Sequence, residues 1–135
     1  MAIRLNAGIR NSIVDSGVVS VVTYGILGLY SGTQPGTGGG STSGCTRISV
    51  INADAPAWAA AVGGTASLTA GTYTGTAGST GTISWARLAD SGGTSYIIDG
   101  NCGTAATCDF VIDSAVVTAG ATITLSSANI IMPGS

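Results

Sequence analysis

Apolar and polar residues alternate most cleanly near the end of the chain. In Thr122-Ile123-Thr124-Leu125-Ser126 the isoleucine and leucine fall on one side and the hydroxyl residues on the other, the period of a strand half buried and half wet. A second signal lies between Gly81 and Gly103. Residues 82–88 are rich in β-branched and aromatic side chains, Asp90-Ser91-Gly92-Gly93 is turn chemistry, and residues 94–99 resume the strand pattern, which predicts a β-hairpin. Further strands are expected over 18–23, 25–30, 46–52, 109–113 and 129–133, with Ile48 and Val50 on one face of the third. Shorter strand pieces at 66–68, 72–74 and Thr76 lie between glycine turns, residues 115–118 bridge to a turn at Ala119-Gly120, and residues 54–58 read as a turn or one helical turn.

One segment has helical rather than strand spacing. Leu5, Ile9 and Ile13 recur every four residues, with Asn6 as N-cap and Gly17 as the stop. So short a helix is marginal alone, so its apolar stripe must dock, either on its own sheet or on a neighbouring subunit. Roughly eight to ten short strands with glycine turns predict an all-β chain. The expected fold is an antiparallel two-layer β-sandwich of jelly-roll type with one short N-terminal helix. At 135 residues it forms a single domain, 1–135, with a helical segment at 1–17 and a flexible Gly-rich loop at 36–44.

Composition narrows the function. Only 7% of residues are charged, against a usual share of about 25%. The four cations are all Arg and the six anions all Asp; Lys, Glu and His are absent. With a net charge of −2 and scattered cations there is no basic patch to follow a phosphate backbone, so nucleic acid is not an expected partner. A surface so poor in charge suits a protein that works docked on something. The most apolar run, 18–30, is interrupted and well short of the roughly 20 residues a bilayer requires, and the first residues do not form a secretory leader. No membrane partner is expected. The glycines of 36–44 are followed by neither Lys nor a helix pattern, which argues against phosphate-loop chemistry.

Catalytic arrangements are scarce. Without His or Lys, a Ser or Thr nucleophile lacks its usual activator, and Cys45, Cys102 and Cys108 lack a cationic neighbour. Asp109 and Asp113 share a strand face about 13 Å apart, too far to share a proton or one metal ion. They read as strand-ending aspartates, and no enzyme, cofactor or metal is expected. Cys102 and Cys108 either close a disulfide across a hairpin or remain, with Cys45, free thiols. Trp58 and Tyr73, in loop-like context, are the candidates for a sugar-stacking platform, whereas Trp85 and Tyr96 are expected to pack the core. Arg87 should pair with an Asp or project to the surface.

Leu29-Tyr30-Ser31-Gly32-Thr33-Gln34-Pro35, Ile83 to Gly93 with its Trp85-Ala86-Arg87-Leu88-Ala89-Asp90 core, Ile98-Asp99-Gly100-Asn101-Cys102-Gly103-Thr104 and the closing Ile130-Ile131-Met132-Pro133 resemble a family of small structural proteins of tailed bacteriophages. Two features depart from that pattern, the 36–44 glycine run and the cysteines at 102 and 108. The resemblance implies a non-enzymatic virion protein made in the host cytoplasm and placed on the outer surface of the capsid. There it would act as a decoration or cement protein, as a homo-oligomer such as a trimer, with the major capsid protein as partner. Leu5, Ile9, Ile13, Tyr30, Gln34 and Pro35 are the expected interface residues. The alternatives are a tail or neck component, or a glycan-binding module for host attachment.

Overall fold

The structure, a computed structural model, describes residues 3–53, 57–69, 72–95 and 98–132. Asn6 caps the first helix as expected: its backbone is extended and its side chain accepts from the N–H of Ile9 at 2.9 Å. The helix does not stop at Gly17. α1 (Ala7–Ser12) widens into π-helical turns (Ile13–Val19), where the Ser20 N–H reaches the Asp15 carbonyl, and ends in α2 (Ser20–Val22). The strand expected at 18–23 is therefore helical. Packing holds its valines in the helix: Val22 is buried in the main core, Val18, Val19 and Val21 are partly buried against it, and Val14, earlier in the same segment, packs with Ala61 and Ala66. Asn11 and Asp15, one turn apart, accept from the N–H groups of Gly64 and Ala61, both at 2.7 Å. The docked side thus carries Asn11, Val14, Asp15 and Val22, while Ile9 and Ile13 face solvent.

Ten strands follow among the described residues: β1 (Ile26–Ser31), β2 (Thr46–Asn52), β3 (Thr65–Ser67), β4 (Tyr73–Thr76), β5 (Gly81–Thr82), β6 (Trp85–Ala89), β7 (Ile98–Gly103), β8 (Phe110–Ile112), β9 (Val116–Val117) and β10 (Thr122–Ile131). Eight form one curled sheet in the order β2-β1-β6-β7-β8-β10-β3, with β4 also on β10; β5 and β9 pair separately. The chain is all-β apart from its helix, and the main sheet is a half-barrel. It is also mixed, because β7 and β8 run parallel where antiparallel pairing was expected. The return between them is short, and it is clamped by reciprocal bonds: the Asp109 N–H donates to Asn101 Oδ1 at 2.7 Å, and the Asn101 N–H to Asp109 Oδ2 at 3.1 Å.

The expected hairpin is β6–β7, in register from Trp85↔Asn101 to Leu88↔Ile98. Gly93, at φ +74°, turns its loop. Thr82 belongs instead to the small sheet with β9. On β2, Ile48 and Ile51 enter the core rather than Ile48 and Val50. A bulge is the reason: Leu29 pairs with Ser49 but Tyr30 with Arg47, so Ile48 is an extra residue and the alternation changes side there. The long β10 carries both the predicted 122–126 alternation and residues 129–131 as one strand, its first half on β4 and its end on β3. Residues 54–56 of the expected 54–58 turn, Tyr96, Ile97 and Pro133 lie outside the described residues.

Leu29, Ile51, Ile112 and Ile123 are fully buried inside the curl, each contributing about 1.5–3 kcal/mol. The curl tightens where β4 meets β2. Gly78 N–H donates to the Ile48 carbonyl at 2.8 Å, Ser49 Oγ donates to the Thr76 carbonyl at 2.9 Å, and a Cβ on Gly75 would strike the Val50 carbonyl oxygen. A side chain at 75 would force β4 off β2. Gly75→Ala should cost roughly 1–3 kcal/mol in urea unfolding. Gly78→Ala, whose Cβ would stand 3.7 Å from its nearest neighbour, should stay within about 0.5 kcal/mol. Equal costs would mean that β4 does not close on β2 in this way.

Candidate functional site

The outer face of β1, β6 and β7 carries the densest set of chemically distinctive side chains. Ala86 and Leu88 point into the core, so Trp85 and Arg87 point outward. Arg87 stands directly across from Asp99 on β7. Its Nε donates to Asp99 Oδ1 and its second guanidinium nitrogen to Oδ2, both at 2.7 Å, a two-point contact that suits the planar fork. The pair is nearly dry, with side-chain exposures of 13% for Arg87 and 3% for Asp99. Pairing with Asp99 lifts the Arg87 pKa above its usual range, against the opposing pull of burial. This answers the sequence expectation for Arg87.

What dries the pair is the 36–44 loop. Arg87 also donates to the Gly40 carbonyl at 2.9 Å, and the Gly39 N–H donates to Asp99 Oδ2 at 3.1 Å. Below it Tyr30 stacks on Trp85, its cross-strand neighbour, with ring centroids 4.4 Å apart and planes 13° from parallel. The Arg87 guanidinium carbon lies 5.3 Å from the Trp85 ring centroid. Trp85 is thus buried, but beneath this face rather than in the main core. On the far side of Asp99, Gly100 leaves room for Asp109 and Phe110; a Cβ there would stand 2.9 Å from both.

The expected interface residues do not form one patch. Ile9 and Ile13 are exposed on the helix, Leu5 is half-buried, and Tyr30, Gln34 and Pro35 are half-buried at the other site. Trp58 and Tyr73 are not a surface platform: they are 7% and 8% exposed. Trp58 bridges to Leu68, the Tyr73 hydroxyl bonds Thr69, and both line an apolar void of about 20 Å³. Pairing of Trp58 with Leu68, and of Tyr73 on β4 with Leu125 on β10, buries residues whose local context reads as loop.

The five described aspartates each hold structure. Beyond Asp15, Asp99 and Asp109, Asp90 accepts from the N–H groups of Thr94 and Ser95, and Asp113 from that of Thr124. No group of three or more metal-ligating side chains occurs among the described residues, and no helix there is long and apolar enough to cross a membrane. All three cysteines are free thiols. Cys102 points into the core, whereas the Cys108 sulfur lies 3.2 Å from where a Gly103 Cβ would stand, on the other face of β7 by strand alternation. Burial, with a smaller contribution from Cys108, pushes the Cys102 thiol up to about 12.

Sequence reading missed a groove beside the ion pair. Gly28 and Val50, cross-strand partners, form its floor with Ala89; Tyr30, Arg47 and Arg87 stand at one end and residues 92–94 at the other, enclosing about 340 Å³. The bulge that turned Val50 outward created it, and no local pattern announces a bulge. No family model, no curated protein and no solved structure matches the chain.

Two measurements check the site. Arg87→Met and Asp99→Leu should each destabilise by about 3–5 kcal/mol by leaving a buried charge alone, and the double variant should cost clearly less than their sum; additive costs would mean that the pair is not coupled. Cys102 should resist a thiol reagent in the native state while Cys45 and Cys108 react. Because its native pKa is raised, the stability it contributes is present below pH 9.0 and lost as pH rises towards about 12, as the unfolded thiol ionises first. Cys102→Ala should flatten that part of the stability profile, and an unchanged slope would contradict the assignment.

Proposed function

We propose that the chain is a non-enzymatic structural protein of a phage particle, a decoration or cement protein on the outside of the capsid. The observation that carries this reading is the helix: Ile9 and Ile13 are 49% and 37% exposed, although Val14 and Val22 of the same segment are buried. Large apolar side chains held in water beside Gly8, Ser12, Ser16 and Gly17 suit a surface that another protein covers. The motif resemblance supplies the virion setting, and the commitment of every described aspartate to structure favours a role without acid–base chemistry.

The mechanism is mechanical. Bound as an oligomer such as a trimer over junctions of the major capsid protein, the curled sheet acts as a rigid, sandwich-like block. Pulling neighbouring subunits apart then requires exposing the surface it buries. The low charge helps, because little ion desolvation opposes such contacts. A tail or neck position is the alternative. A glycan module built on Trp58 and Tyr73 is disfavoured by their burial.

Purified particles separated into heads and tails and analysed by quantitative mass spectrometry test the reading. The chain is expected in the head fraction at a copy number comparable to that of the major capsid protein. A few copies in the tail fraction would move it to the neck or tail, and absence from both would sink the virion role.

A further inference from the structure

We infer that the groove beside Arg47 receives an acidic side chain, an Asp or Glu on the protein against which this chain docks. The inference rests on the docking role and adds the chemistry of the partner. Among the described residues, the charge of Arg87 is answered by Asp99, whereas Arg47, exposed on β2, has no carboxylate within ion-pair distance and its side chain has no hydrogen-bond partner. Arg47 and Tyr30 are cross-strand partners and so share the outer face.

The Tyr30 ring lies over Gly28, and its hydroxyl is 3.4 Å from where a Gly28 Cβ would stand, with no hydrogen-bond partner among the described residues. One end of the groove therefore gathers a guanidinium fork and a phenolic O–H, both unspent. The floor of Val50, Ala89 and Gly28 is apolar. A carboxylate on a short methylene stem meets both features: the stem covers the floor and the two oxygens take the fork and the hydroxyl.

One unpaired cation calls for one negative charge, which favours a carboxylate over a phosphate dianion. The charged groups stand only at one end, so a free acid would be held by its charge at one point and would carry its full cost of immobilisation. A residue presented by an already docked protein carries little of that cost.

The test is an amide-shift titration of the intact chain with the blocked peptides Ac-Val-Glu-Val-NH2 and Ac-Val-Gln-Val-NH2, and with propionate. Saturable shifts at Gly28, Val50 and Gly93 are expected with the Glu peptide. Binding should be about tenfold weaker for the Gln peptide and for Arg47→Gln, and roughly threefold weaker for Tyr30→Phe, which keeps the ring stack. Equal binding of the two peptides, absence of saturable shifts, or indifference to Arg47→Gln would overturn the inference. Propionate binding as tightly as the Glu peptide would overturn a polypeptide occupant. A chain found on heads that does not bind the Glu peptide would remove this inference and leave the decoration role standing.

Discussion

The Arg87–Asp99 pair is the interaction on which the outer half of the molecule depends. A loop of Gly, Ser and Thr has no apolar side chain with which to hold itself on a sheet, and ordering each residue costs about 1–2 kcal/mol of backbone entropy. Only polar bonds can hold it, and they hold well only where water is excluded. The pair supplies both ends of that bargain: Asp99 accepts from Gly39, Arg87 donates to Gly40, and the loop they capture keeps them dry. The stack of Tyr30 on Trp85 gives the guanidinium a rigid floor. A buried ion pair is poor evidence of net stability, because desolvation offsets much of its attraction. Its value here lies in geometry, since it fixes where a featureless loop lies.

The same logic of close approach governs the curl. A half-barrel brings backbones together at its seam, and at Gly75 the chain has no side chain to obstruct β2. At Gly100 the omission admits Asp109 and Phe110 against β7, which makes room for the parallel return of β8. Side-chain-to-backbone bonds of Asn101 and Asp109 then do what a long crossover does elsewhere in parallel pairs. At these close approaches small residues and local polar clamps, rather than bulky side chains, set how the strands meet.

What was legible in the sequence is what local pattern controls. The cap at Asn6, the β6–β7 hairpin and the alternation at 122–126 depend on neighbours within a few residues, and the structure has all three. The helical course of 18–22 was not legible, because Val18-Val19 and Val21-Val22 have strand propensity and become helical through burial against distant parts of the chain. The face of Val50 turned on a single bulge residue. Trp58 and Tyr73 were misplaced for a related reason, since burial by the pairing of Trp58 with Leu68 and of Tyr73 with Leu125 is a property of the fold and not of the surrounding residues. For Arg87, chemistry required a partner, but only the register of β6 on β7 chose Asp99.

This division bears on how the surface can work. Trp85, Arg87, Asp99 and Gly100 are consumed in holding the fold, so they are not free to make outside contacts. In the proposed docking role, adhesion would fall to what remains outside, the exposed Ile9 and Ile13 and a surface poor in charge. Such a surface would bind through apolar area and neutral hydrogen bonds, which salt screens little. Arg47, without an ion-pair partner among the described residues, would in that docking matter less for total affinity than for register, since one charge that must find one carboxylate disfavours every other alignment of the two surfaces.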